Sequence, residues 1–137
     1  MKEEWRNITN YEELYQVSNL GNVKNIRRNK LKKLTLNKDG YYIVKLSKNN
    51  KKKVYLVHRL VAKEFIENKN NYDIVNHKDE NKTNNKVDNL EWCTIKYNNN
   101  YGTRWIKNYL KKYINEVLIL LENDEIEKAT NMLEKLK

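Results

Sequence analysis

The chain has no proline, three glycines, one cysteine and two histidines among its 137 residues. Each scarcity closes off a class. A single thiol, Cys93, can make neither an intrachain disulfide nor a cysteine-rich zinc centre, so disulfide scaffolds and zinc ribbons are excluded. The longest apolar run, Val117 to Leu121, falls far short of the roughly 20 residues that cross a bilayer, and the opening Met-Lys-Glu-Glu-Trp-Arg has no apolar signal-peptide core. The expectation is a soluble, cytoplasmic chain in a reducing cell interior, with no membrane partner. At this length a single autonomous core is feasible without cross-links.

What is abundant is positive charge. Lys and Arg number 28 against 18 Asp and Glu, a formal net charge of +10. Residues 112–137 hold four lysines against six acidic residues, so residues 1–111 carry +12. A cationic surface of that size releases counterions from nucleic acid, and ten tyrosines offer stacking faces or core fillers. The chain also has 24 asparagines, and Lys with Asn at this level is what an A+T-rich coding sequence gives any gene. Composition alone therefore does not decide for nucleic acid.

Without proline, turns must come from glycine and asparagine. Tyr15 to Ile26 reads as two short strands around a turn at Asn19 to Asn22. Lys33 to Leu36 and Gly40 to Leu46 form a second pair split by Asn37-Lys38-Asp39-Gly40, where Asp-Gly is a hairpin signal. Lys48 to Lys53 reads as a basic turn leading to a strand, Val54 to Val57, that pairs with residues 41–46. The first half is expected to be one small antiparallel sheet. At His58 the period changes, and Leu60, Val61, Phe65 and Ile66 predict a short helix packed on that sheet. Strand Ile74-Val75, a polar loop from Lys78 to Asp88, strand Leu90 to Cys93 and a helix from an N-cap at Thr94 to Gly102 follow. Beyond Arg104, Ile106, Leu110, Tyr113, Val117 and Leu120 form one helical stripe, and Ile126, Ala129, Leu133 and Leu136 another. These predict a helical hairpin whose stripes pack within one chain, which we favour modestly over a homodimer seam. The fold class is α+β.

One strand-loop-strand-helix unit gathers the chemistry. Asn76 and His77 end its first strand, Asn89 precedes its second, and Asn98 lies in the first turn of its helix. Phosphodiester hydrolysis needs a base for water, a divalent ion against the phosphate charge and a rigid frame for both. An imidazole with an ordinary pKa near 6.5 accepts a proton at neutral pH, and amide oxygens suit a hard cation.

These residues also carry a resemblance. His58-Arg59-Leu60-Val61-Ala62, Val75 to Asn85, Asn89-Leu90-Glu91-Trp92-Cys93-Thr94 and Tyr97-Asn98-Asn99 closely resemble the HNH endonucleases of the ββα-metal superfamily, in the branch of phage and intron homing enzymes. Glu4-Trp5, Ile8, Tyr11-Glu12, Leu14-Tyr15 and Val17 to Val23 resemble the small module that often precedes that motif. The resemblance implies an N-terminal β module over residues 1–53, a ββα-metal nuclease core over 54–103 and an additional helical hairpin over 104–137. It implies His77 as general base, Asn89 as the asparagine that braces the loop, and Asn76 and Asn98 as ligands of one Mg²⁺ or Mn²⁺. It further implies cleavage of double-stranded DNA to 5′ phosphate and 3′ hydroxyl, inside a phage-infected or bacterial host cell.

In the resembling family the residue before the base is often Asp, and here it is Asn76. Both expected ligands are then neutral, and metal should bind weakly until DNA adds charge. That departure prompts a rival reading, a DNA-binding or regulatory protein that keeps the HNH frame without effective cleavage. A third is an interaction protein whose acidic hairpin binds a partner. Lys24, Arg27, Arg28, Lys30, Lys32, Lys33, Lys51, Lys52 and Lys53 are the candidates to hold DNA through its phosphates. His58 reads as a packing or backbone-bonding residue, Trp92 and Cys93 as core. Asp79 to Asn84 lacks the glycine and the bidentate glutamate of a calcium loop and reads as a long turn braced by its own side chains.

Overall fold

Alternating apolar residues fix the first strands. The computed structural model describes residues 2–135, apart from the Arg104 side chain. It divides into two compact units, Met1–Asn98 and Asn99–Lys137. In the first unit, β1 (Trp5–Asn7), β2 (Tyr15–Ser18), β3 (Val23–Asn25) and β4 (Lys30–Leu31) form an antiparallel sheet in sequence order. Tyr15 and Val17 point inward and Val17 sits opposite Val23, all three buried. A second sheet contains β5 (Thr35–Leu36), β6 (Tyr42–Lys48) and β7 (Lys51–Leu56). The single N-terminal sheet expected from sequence is thus two sheets. Strands β1 and β4 escape pattern reading because three-residue and two-residue strands of mostly polar side chains carry no period.

The basic turn expected over residues 48–53 is also corrected. Lys48 pairs with Lys51, so the turn is Asn49-Asn50 alone, and both asparagines take positive φ. A two-residue hairpin needs left-handed backbone at its centre, and asparagine tolerates it better than most residues. Asn10, Asn29 and Asn71 do the same elsewhere, which explains how so few glycines and no proline suffice.

Helix α1 (Val57–Phe65) buries Val57, Leu60, Val61 and Ala62. A fully buried Val or Leu contributes roughly 1.5–3 kcal/mol, so this face anchors the unit. Its core joins Ile8 and Tyr11 from the β1–β2 connection, Tyr15 and Val17 from β2, Val44 and Leu46 from the second sheet, and Val75 and Leu90 from the ribbon described next. The boundary drawn at residue 53 falls inside β7, and both flanking modules share this one core. Glu64 fastens β1 to the helix: it accepts from the Thr9 N–H at 3.0 Å and the Thr9 hydroxyl at 3.1 Å, while Arg6 donates to its backbone carbonyl.

The ribbon is β8 (Ile74–His77) against β9 (Leu90–Cys93), followed by α2 (Ile95–Asn100). Thr94 caps α2, its hydroxyl accepting the Tyr97 N–H at 3.1 Å. The helix ends at Asn100, two residues before the expected stop. Cys93 is buried, and half-buried Trp92 donates its indole N–H to the Ile66 carbonyl.

The second unit holds α3 (Arg104–Glu122) and α4 (Ile126–Glu134), joined by a turn with Asp124 at positive φ. The hairpin forms, but of the two expected stripes only Val117 and Ala129 are buried, whereas Ile106, Leu110, Ile126 and Leu133 are exposed. At 1.5 Å per residue, α4 spans about 14 Å against about 28 Å for α3 and cannot cover it. Leu136 lies outside the described residues. Among the described residues no helix is long and apolar enough to cross a membrane.

Candidate active site and nucleic-acid interface

Strand β8 delivers its last two residues to opposite faces of the ribbon, as strand geometry requires. His77 pairs with Leu90 and Asn76 with Glu91. Both are buried, at 3% and 1% exposure. The Nε2 of His77 lies 3.0 Å from Asn85 Oδ1. Its ring packs edge-on against His58 at 5.0 Å between centroids, with Tyr41 at 6.0 Å. His58 packs against these rings, and its Nδ1 has no hydrogen-bond partner among the described residues. Burial, then His77 and Arg59, push its pKa down to about 3, so it is a neutral imidazole at physiological pH.

Asn89 ties the loop together. Its Oδ1 accepts the Asp79 N–H at 3.0 Å, and its Nδ2 donates to Asp79 Oδ1 and the Asn84 carbonyl, both at 2.8 Å. Its own carbonyl accepts the Lys78 N–H at 2.8 Å. Asp79 also accepts from Asn84 Nδ2 and the Asn81 N–H. Burial tends to raise the Asp79 pKa, but these bonds outweigh it and hold the carboxyl below its ordinary value. The loop is a self-braced turn, and its fixed end carries His77.

Asn98 sits in α2, half-buried, with its backbone N–H donated to the Thr94 carbonyl at 3.0 Å. The Asn76 Nδ2 donates to Glu91 Oε1 at 2.8 Å, so a carboxylate stands directly against this neutral residue. Among the described residues no group of three or more His, Cys, Asp or Glu side chains could hold a metal. Asn76 and Asn98 offer amide oxygens and Glu91, bonded to the first, a carboxylate, and oxygen donors of these kinds suit a hard cation that keeps several waters.

The basic candidates separate. Arg27, Arg28, Lys30, Lys32 and Lys33 line one cleft of about 660 Å³ beside Tyr15 and Asn25. Lys51 and Lys53 line a different cleft of about 340 Å³ with Lys48 and Tyr55, and Lys52 faces the opposite side of β7. Lys24 is engaged by Trp5, its Nζ 4.4 Å above the ring centroid.

Comparison with known proteins accounts for this arrangement. The family model described as HNH endonuclease matches residues 55–100, and the NUMOD4 motif matches residues 3–47. The chain carries an HNH endonuclease domain over residues 55–100. An HNH endonuclease of Acanthamoeba polyphaga mimivirus is 44% identical over 117 residues, 85% of this chain and 35% of that protein. The DNA endonuclease I-HmuI of Bacillus phage SP01 is 47% identical over 95 residues, 69% of this chain and 55% of its own. A solved structure of I-HmuI, described as DNA binding and cleavage by the HNH homing endonuclease, aligns with a TM-score of 0.65 at 41% identity, over 80% of this chain and 59% of that one. The chain spans about half the length, or less, of the curated relatives it matches.

Sequence reasoning gave Asn85, Glu91, Tyr41 and Gly21 no role. Asn85 lies eight residues after His77 in a run of loop asparagines that look interchangeable. Glu91 was legible in principle, since a two-stranded register puts it opposite Asn76. Gly21 was read as part of a turn, yet a Cβ built there would meet Asn85 Cβ at 2.9 Å. The backbone agrees, since the Val87 N–H donates to the Asn19 carbonyl at 2.8 Å. The NUMOD4 turn therefore packs on the loop that holds His77.

Proposed function

We propose that this chain is a metal-dependent DNA endonuclease that hydrolyses phosphodiester bonds and nicks one strand per encounter, with His77 as general base. The observation that carries the reading is the seating of His77 at a strand end, with Asn85 on its Nε2 and an Asn89-braced loop behind it, in a chain 47% identical over 95 residues to a protein named as a DNA endonuclease. Rigid support of this kind keeps a base aligned with attacking water. His77 takes the proton of that water. Asn89 keeps the loop, and with it His77, in register. Asn76 and Asn98 would hold Mg²⁺ or Mn²⁺, which when bound offsets charge on the phosphate and the departing 3′ oxygen. The products are a 5′ phosphate and a 3′ hydroxyl. Double-stranded DNA is the partner, held by phosphate contacts from the Arg27 to Lys33 cleft. Pairing of α3 with α4 inside one chain supports a monomer, and one site per encounter gives a nick.

Incubation of supercoiled plasmid with the protein and Mg²⁺ or Mn²⁺ tests this. Open circles should accumulate, and His77→Ala should slow them by at least ~10²-fold while DNA affinity changes little. Equal rates for wild type and variant would remove His77 from the mechanism. The burial of His77 at 3% exposure favours the second reading, a DNA-binding protein with a silent HNH frame. Plasmid bound but left supercoiled by the wild type would establish it.

A further inference from the structure

We infer that Glu91 is the charged member of the metal site, the carboxylate that two amide residues cannot supply. The inference rests on the nuclease reading only for its physiological meaning. Glu91 pairs with Asn76 across the ribbon, so their side chains leave the same face, and its Oε1 accepts the Asn76 amide at 2.8 Å. That bond fixes the amide of a side chain that is 1% exposed beside the carboxylate. Glu91 is only half-buried and lines a cleft of about 350 Å³ with Tyr72, Thr94 and Tyr97, at the start of the helix that carries Asn98. Solvent and an ion can therefore reach its carboxylate. Hard divalent cations are normally held by one or two carboxylates, with water and substrate oxygens completing the shell. Glu91 is the carboxylate in hydrogen-bond contact with Asn76.

The pair also explains why residue 76 is an amide. An Asp there would set two carboxylates against each other at hydrogen-bond distance, a like-charge contact that raises a pKa or forces one side chain away. The charge sits at position 91 and the donor at position 76, and the two could be exchanged.

Mn²⁺ titration of the full chain without DNA, followed by electron paramagnetic resonance of the free ion, reads this out independently of cleavage. Glu91→Gln keeps an acceptor for Asn76 and removes only the charge, so Mn²⁺ affinity should fall about 10- to 100-fold, the range for lost metal-supporting groups. Moving the charge with Asn76→Asp/Glu91→Gln should restore affinity to within about threefold of wild type. Glu91→Asp keeps the charge and loses reach, so it should bind more tightly than Glu91→Gln; if the glutamine variant fails to fold by circular dichroism, Glu91→Asp decides against wild type, with an affinity within about tenfold expected and a loss beyond about 100-fold overturning the inference. Glu91→Gln within about twofold of wild type, a double variant as weak as Glu91→Gln, or Glu91→Asp no tighter than Glu91→Gln would overturn the inference. If the first of these occurs while wild type still nicks plasmid, Glu91 alone is misassigned. If Mn²⁺ binding follows the expected pattern but no plasmid is nicked, the metal site stands and the nuclease reading falls.

Discussion

Gly21 and Asn85 approach so closely that a Cβ on the glycine would stand 2.9 Å from Asn85 Cβ, and Asn85 Oδ1 in turn lies 3.0 Å from His77 Nε2. A turn in the N-terminal module thus presses on the residue that holds the proposed base. Gly21 also has φ of +88°, where a side chain is strained whatever the space. Gly21→Ala should destabilise the fold by more than about 1 kcal/mol in urea denaturation. It should also lower the nicking rate at saturating DNA, under conditions where the variant is still folded. Full activity in a destabilised but folded Gly21→Ala protein would show that the contact does not reach His77.

Asn89→Ala tests the brace. The change leaves the Asp79 N–H and the Asn84 carbonyl without their side-chain partner, and an orphaned backbone group costs about 1–3 kcal/mol when water cannot replace the bond. Asp79 is exposed, so water recovers part of the loss. A total cost of about 2–3 kcal/mol is expected from chemical denaturation, with nicking reduced as the loop loosens. A cost below about 0.5 kcal/mol, the range of an ordinary surface change, would mean that the loop holds itself without Asn89.

Acid should weaken the first unit before its carboxylates titrate. His58 keeps a pKa near 3 in the fold, against 6.5 when unfolded, because burial and the neighbouring His77 and Arg59 oppose its charge; Tyr41 completes its surroundings. Between those values the unfolded chain binds a proton that the folded chain refuses. Stability is therefore intact above about pH 6.5 and falls as pH drops toward 3. One refused proton corresponds to about 1.4 kcal/mol per pH unit. The Asp79 contribution is lost only below its ordinary value of 3.8. His58→Phe should flatten the profile between about pH 4 and 6, and an unchanged slope in urea midpoints would contradict the neutral-imidazole assignment.

Single elements are more legible in the sequence than their assembly. Leu90 to Cys93, Thr94 and the long strand β6 announce themselves because period-two alternation and a capping hydroxyl are local signals. Asn89 stands out in the sequence because its spacing from His77 belongs to the resembling motif, and in the structure it bonds to Asp79. The separation into two sheets was not readable, since β1 and β4 are too short and too polar to carry a pattern. Glu91 beside Asn76 and Gly21 beside Asn85 depend on register and on packing between segments far apart in the chain. In the same way, apolar spacing alone announced a helical hairpin, but only the unequal lengths of α3 and α4 explain why Ile106 and Leu110 stay exposed.

The cationic cleft yields the last prediction, because it divides nine basic candidates that sequence could not rank. Arg27, Arg28, Lys30, Lys32 and Lys33 converge on one concave surface, where several phosphates can be met at once. Each phosphate neutralised on duplex DNA contributes about −0.9 to the slope of log affinity against log salt. Arg28→Gln and Lys32→Gln should each flatten that slope by up to about 0.9 and weaken binding alike for unrelated sequences, since phosphate contacts carry no base information. Lys24→Gln should change the slope less, because the Lys24 ammonium already lies over the Trp5 ring and would have to leave it. Lys52→Gln, on the opposite side of β7 from Lys51 and Lys53, should behave as Lys24→Gln does. Fluorescence anisotropy with two duplexes of different sequence across a salt series measures all four. If Lys52→Gln flattens the slope and Arg28→Gln does not, DNA follows the β7 surface, and the larger cleft is not its path.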